Sequence, residues 1–134
     1  MLRVNQLSDE GWAWYRAYLT VLDDYNLDGY VAFLAPRVSL RFNNDVPVAG
    51  RDQVTEALGR FWGSISAMGY ELRHEPLNIY GDDLRFVTEA LNHYTKRGDR
   101  VTLRATAWTD RGDDGRVTSV RLYQDLSPLV PQAR

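Results

Sequence analysis

The chain contains no cysteine. That excludes a disulfide framework and any thiolate-held metal, and it fits a reducing compartment. Its two histidines, His74 and His93, do not form a ligand set of recognisable spacing, so no metal is expected. Long apolar runs are also missing. No stretch approaches the roughly 18 to 20 residues of a membrane span, and "MLRVNQLSDEGW" lacks the apolar core of a signal peptide. The expectation is a soluble, cytoplasmic protein with no membrane partner. A basic stripe is absent too: the formal net charge is −2 and the arginines are scattered among Asp and Glu. Nothing is there to neutralise a phosphate backbone, so nucleic acid is not an expected partner. Neither "GRDQV" nor "GDDGR" follows the glycine pattern of a nucleotide-cradling loop. No cofactor is expected.

What the chain does have is length for one core and an unusual aromatic load. Its 134 residues are 44% hydrophobic and 25% charged, which suits a single domain over residues 1–134. Four Trp, eight Tyr and four Phe can fill that core or line a cavity within it.

The helical signals come first. In "SDEGWAWYRAYLTVLDDY", Ser8 caps a helix whose first turn carries Asp9 and Glu10, and Trp14, Tyr15, Tyr18, Leu19, Leu22 and Tyr25 recur at helical spacing. "NLDGYVAFLAPR" reads as a short helix capped by Asp28 and stopped before Pro36. "RVSLRFN" alternates Val38, Leu40 and Phe42 against polar neighbours, the period of a half-buried strand. A third helix starts near Asp52, shows Val54, Leu58, Phe61, Trp62 and Ile65 on one face, and stops at Gly69. Gly59 and Gly63 within it allow close approach to a neighbour or are tolerated on the exposed side. Turn signals at "YGDD", "KRGDR" and "DRGDDGR" then separate four strand-like runs: "YELRHEPLNIY", "LRFVTEALNHYTK", "RVTLRATAWTD" and "RVTSVRLYQDL". Helices followed by a strand meander predict an α+β domain.

This order resembles the nuclear transport factor 2-like superfamily, particularly its SnoaL-like branch. The likeness runs from about Ser8 to Leu129 and is carried by the paired N-terminal helices, "AGRDQVTEAL", His74 and "DGRVTSVRLYQDLSPL". It implies a cystatin-like α+β barrel: a cone-shaped, curved, mostly antiparallel sheet around the helices, enclosing a small-molecule pocket, with an outer face that forms a homodimer. The fold hosts isomerases, aldol-type cyclases, epoxide hydrolases, dehydratases and plain ligand binders, so it does not choose among them. Limonene epoxide hydrolases resemble the chain in "GRDQV" and "YQDL", and their Asp-Arg-Asp set falls on Leu122, Ala90 and Asn92, which excludes water activation by that set. The ketosteroid isomerase base falls on or near Phe42, which cannot abstract a proton.

Face parity selects the candidate site residues. With Leu72 inward, Tyr70 and His74 follow it, and Pro76 disturbs the alternation beyond them. His74 is the candidate acid or base, because imidazole gives and takes protons near neutral pH. Asp125 is the second candidate catalytic residue, from its place before "LSPL" and from the inward acid of the aldol-type cyclases. Its parity with Arg121 and Tyr123, opposite Val120, Leu122 and Gln124, favours a fixture at the strand end unless a bulge resets the register. Asn92 and Gln124 are amides on otherwise apolar inner faces, where each needs a partner from the protein or a ligand. Val101, Leu103, Ala105 and Ala107 make a third inner face, whose alanines leave room. Trp14, Tyr18, Phe33, Phe42 and Trp62 complete the expected ligand-binding wall, with Tyr18 offering a hydroxyl. The outer face would carry Glu89, Leu91, His93, Arg104, Trp108, Arg121 and Tyr123. Two readings stay open. One is a pocket protein with cofactor-free isomerase, cyclase or dehydratase chemistry on an apolar carbonyl- or hydroxyl-bearing compound. The other is a noncatalytic binding or homodimeric association module.

Overall fold

A computed structural model describes residues 6–129. The ends of the expected domain, and much of the N-terminal segment read above for a signal peptide, lie outside the described residues. Helix α1 spans Asp9–Asp23 and is capped by Ser8, whose hydroxyl accepts from the Gly11 amide at 3.0 Å. Ser8 does more than cap. Its backbone N–H donates to Asp83 Oδ1 at 2.8 Å and its hydroxyl bonds the other carboxylate oxygen, pinning the helix start to a hairpin turn. These bonds hold the Asp83 carboxyl below the usual range. A Cβ on Gly11 would lie 2.1 Å from Asp83 Oδ1, so a larger residue there would displace the carboxylate that holds Ser8.

Helix α2 is Leu27–Val31, shorter than its sequence signals predict, and its cap is Asn26 rather than Asp28. The side-chain oxygen of Asn26 accepts from Gly29 N–H at 2.9 Å, two positions before the expected cap. Strand β1 then runs Leu34–Phe42 and contains Pro36. The proline is tolerated because pairing with the neighbouring strand is irregular between Leu34 and Ser39, where its missing N–H costs no regular ladder bond. A two-residue strand β2, Val48–Ala49, has no counterpart in the sequence reading; it is too short to show a period.

Helix α3, Arg51–Ala67, begins after Gly50 with no side-chain cap, not at Asp52. Its buried residues Val54, Leu58, Trp62 and Ile65 fall on the expected face. A Cβ on Gly59 would meet Leu27 of α2 at 3.2 Å, whereas Gly63 faces open space, so the two glycines have different reasons. The four remaining strands are β3 (Glu71–Gly81), β4 (Arg85–Lys96), β5 (Asp99–Arg111) and β6 (Val117–Gln124).

These strands form one curved, unclosed sheet in the order β2-β1-β6-β5-β4-β3, antiparallel throughout except for the parallel β1–β6 pair. That is the α+β cone that the sequence implies. The β3–β4 register shifts between Pro76 and Asn78, and the buried position moves to Ile79, off the parity of Leu72 and His74. Phe86, Leu34, Val38, Val54 and Val117 fill the core between helices and sheet. Burying each such side chain is worth about 1.5 to 3 kcal/mol.

Candidate functional site

The inner faces of β1 and of β3 to β6, with the buried faces of the helices, enclose a cavity of roughly 100 Å³. Its floor is small and flat: Ala90 and Ala105 are register partners, and Ala107 lies one inward step along β5. Its helical wall is aromatic, with Tyr15, Tyr18, Tyr30, Phe61 and Trp62. Its polar groups are His74, Thr88, Asn92, Tyr94, Thr109 and Gln124 on the sheet and the tyrosine hydroxyls on the helices. Among the described residues, no Lys, Arg, Asp or Glu lines it.

His74 sits on β3 at the cavity wall, its side chain 17% exposed. Asp23, the last residue of α1, takes two hydrogen bonds from it through one oxygen: the backbone N–H donates at 2.9 Å and ring Nδ1 lies at 2.5 Å. A carboxylate can only accept, so Nδ1 carries a proton, and in the neutral ring the lone pair lies on Nε2. Helix α1 is thus tied to the β3–β4 hairpin at both ends, by Ser8 to Asp83 and by Asp23 to His74. The sequence reading missed Asp23. Its signal was there: Asp23 lies four residues after Leu19 and eight after Tyr15, a carboxylate on the apolar stripe of α1.

Asn92 faces His74 directly across the β3–β4 ladder. Its Nδ2 donates to Gln124 Oε1 at 2.6 Å, so the two expected amides satisfy each other in part, while Asn92 Oδ1 is buried without a partner. Gln124 is fixed in turn by Asn43, whose side-chain amide exchanges two hydrogen bonds of 2.8 Å with the Gln124 backbone. On the helical wall the hydroxyls of Tyr18 and Tyr30 are 2.8 Å apart. Burial raises the Tyr30 hydroxyl to about 12, and Tyr18 is pushed well above its ordinary value by burial and then by Tyr30, so both stay protonated. One of them donates to the other, which leaves one hydroxyl proton to offer. Burial likewise lifts Tyr15 and Tyr94 to about 12. The Tyr15 hydroxyl lies against Thr88, whose Oγ1 has no partner at hydrogen-bonding geometry.

The structure therefore gathers His74, Tyr18, Phe42, Trp62, Asn92 and Gln124 around one cavity, and it leaves three other expected site residues outside. Trp14 stacks on Tyr18 with ring centroids 5.1 Å apart and carries the Arg111 guanidinium at 3.8 Å on its ring. Phe33 packs edge-on against both Trp14 and Tyr18. These two rings support Tyr18 from behind rather than lining the space. Asp125 is exposed beyond the end of β6, where its Oδ1 accepts from the Ser127 amide at 2.9 Å; these bonds to Ser127 hold its carboxyl below the usual range. No bulge turns it inward. Tyr30, Thr88 and Tyr94 line the cavity without having been singled out; Thr88 and Tyr94 share the inward parity of Asn92.

The sequence pattern of the SnoaL-like domain matches residues 15–120 of this chain of 134 residues. The chain belongs to the SnoaL-like family. Solved structures agree on the fold. An LEH-like epoxide hydrolase from Mycobacterium tuberculosis is 21% identical, with 88% of this chain and 84% of that one covered and a TM-score of 0.67. A proposed polyketide cyclase from Xanthomonas campestris pv. campestris is 21% identical over 90% and 93% of the two chains, with a TM-score of 0.70. An NTF2-like protein of unknown function from Burkholderia pseudomallei is 19% identical over 91% and 95%, with a TM-score of 0.71. No curated protein matches the chain in sequence. In this SnoaL-like protein, Leu122, Ala90 and Asn92 all line the cavity, and none of them carries a charge.

Proposed function

We propose that this SnoaL-like protein binds a small, mostly apolar carbonyl compound in the cone and moves a proton on it without a cofactor, as an isomerase, cyclase or dehydratase does. The observation that carries this reading is the Asp23–His74 pair: a carboxylate holds an imidazole by ring and backbone at the wall of an otherwise uncharged cavity. His74 Nε2 takes a proton from the carbon beside the carbonyl, and the electron pair moves onto the carbonyl oxygen. Asp23 stabilises the imidazolium that forms. The spare hydroxyl proton of the Tyr18–Tyr30 pair supports the developing oxyanion, because a neutral donor fixed in an apolar wall needs no reorganisation. Asp125 has no part in this step.

Incubation with small cyclic ketones and hydroxyketones in D2O, followed by NMR, tests the reading. The protein should speed exchange of the protons beside the carbonyl, and His74→Gln should lower the rate by about 10²-fold or more with its unfolding midpoint preserved. A folded His74→Gln variant that exchanges as fast as the parent would contradict it.

A second reading concerns assembly and is compatible with the first. On the outer sheet face Trp108 is 41% and Tyr123 42% exposed, on the adjacent strands β5 and β6, with Leu91 half-buried farther along β4 opposite Arg104. Aromatic area of this kind suits a homodimer interface. Around it stand charges of both signs, including Arg104 and Arg121 as well as Glu89, so a second copy can offer each its opposite. His93 is held within this face by Glu75 and Thr102, each at 2.8 Å.

A further inference from the structure

The cavity wall is short of hydrogen-bond donors at one point, and that deficit has a chemical meaning. Asn92 is 3% exposed, its Nδ2 is committed to Gln124, and its Oδ1 has no donor among the described residues. The residue directly across the ladder, His74, presents an acceptor in its neutral form, because Asp23 claims the Nδ1 proton. Register partners on antiparallel strands bring their Cβ atoms to about 5 Å, so two acceptors stand side by side on the same inner surface. A carbonyl or ether oxygen placed there satisfies neither of them. A hydroxyl satisfies one or both in turn.

Further donors line the cavity beyond this point. The Tyr18–Tyr30 pair has one proton to offer from the helical wall, and Thr88 Oγ1, 1% exposed and unpartnered, lies two inward steps from Asn92 along β4 with Ala90 between them. At the His74–Asn92 end the unpartnered group is the acceptor Asn92 Oδ1, with Tyr94 and Gln124 beside it, and the floor between the strands is Ala90, Ala105 and Ala107. Charge sets a second limit. With no Lys or Arg in the lining, a carboxylate or phosphate would be buried without a counter-charge. Size sets a third: roughly 100 Å³ is below the roughly 300 to 1,000 Å³ of sites for drug-sized ligands.

We infer that the cavity recognises a compact, neutral hydroxy-carbonyl compound whose hydroxyl donates to Asn92 beside His74 and whose carbonyl lies toward the tyrosine and threonine donors. This rests on the cavity being the ligand site, as proposed above, and it adds a requirement for the hydroxyl. Asn92 becomes the residue that separates alcohols from compounds with only carbonyl oxygen. It is a binding residue, and its role does not depend on whether His74 moves a proton.

The test uses the full chain, labelled with ¹⁵N, titrated with cyclohexanol, cyclohexanone and cyclohexanecarboxylate while the side-chain amide signals of Asn92 and Gln124 are followed. Cyclohexanol should bind about tenfold or more tighter than cyclohexanone and shift the Asn92 signals, because leaving a buried acceptor unpaired carries a cost of that order. Cyclohexanecarboxylate should bind least. Asn92→Leu should bring the alcohol and ketone affinities together. Equal affinities in the parent protein would overturn the inference, and so would an alcohol preference that survives in Asn92→Leu. The parent comparison stands even where the variant does not fold. The outcome is also separate from the exchange assay: equal affinities with His74-dependent exchange intact would remove the hydroxyl requirement and leave the base, whereas an Asn92-dependent alcohol preference without exchange would leave a binding pocket.

Discussion

Two aspartates show how little residue type alone decides. Asp125 has the position of a catalyst in the sequence, next to a turn at the end of an inner strand, yet it is exposed outside the cavity lining and serves the Ser127 amide. Asp23 looks like a helix-end acid and holds the one imidazole at the cavity wall. The difference lies in periodicity. Asp125 shares a strand face with Arg121 and Tyr123, whereas Asp23 shares a helix stripe with Tyr15 and Leu19. In the exchange assay, Asp23→Asn should lose about 10²-fold, since an amide still accepts one hydrogen bond but cannot stabilise an imidazolium. Asp125→Asn should leave the rate unchanged. A reversed order would place the chemistry at the other end of the sheet. Parity also made Asn92, Gln124 and His74 legible as inward residues. Their pairing with one another was not, because strand registers depend on turn lengths and on the shift at Pro76.

At the scale of elements, what could be read depended on length. Five long strands and two long helices announce themselves by repeats of one period, and turn residues mark their ends; Arg97 and Gly98, both at positive φ, close the β4–β5 hairpin where "KRGDR" stands. The short elements carried no such redundancy. Helix α2 has five residues and competes with a strand that begins only three residues later, so its stop at Val31 was set by the pairing of Leu34 with Val117 and not by Pro36. Strand β2 has two residues and exists because the chain folds back along β1. Helix α1 was placed correctly, but its docking was invisible in sequence, since the partner of its cap lies 75 residues away in Asp83. That clamp, with the one at Asp23, sets the depth of Tyr18 and hence the shape of the aromatic wall.

At the scale of the whole molecule, the cone separates two surfaces with different tasks. The inner face is apolar, uncharged and pocketed; the outer face carries charge and exposed aromatic rings. Arg121 lies over the Trp108 ring at 5.3 Å, which organises the centre of that outer face without covering it. If two copies meet there, light scattering at micromolar concentration should give twice the chain mass, and Trp108→Glu should shift it toward the monomer with the unfolding midpoint of the isolated chain preserved. A monomeric parent would remove this face as an interface. Among the described residues no helix is long and apolar enough to cross a membrane, and no cluster of metal-ligating side chains occurs.

The central claim is that Asp23 holds His74 with its Nε2 lone pair available at the cavity. Long-range ¹H–¹⁵N NMR of the imidazole, on the parent protein and on Asp23→Asn, measures this directly. The account predicts a neutral imidazole carrying its proton on Nδ1 in the parent, with that preference weakened in the variant. A parent whose neutral imidazole carries the proton on Nε2, or a tautomer indifferent to Asp23, would contradict it.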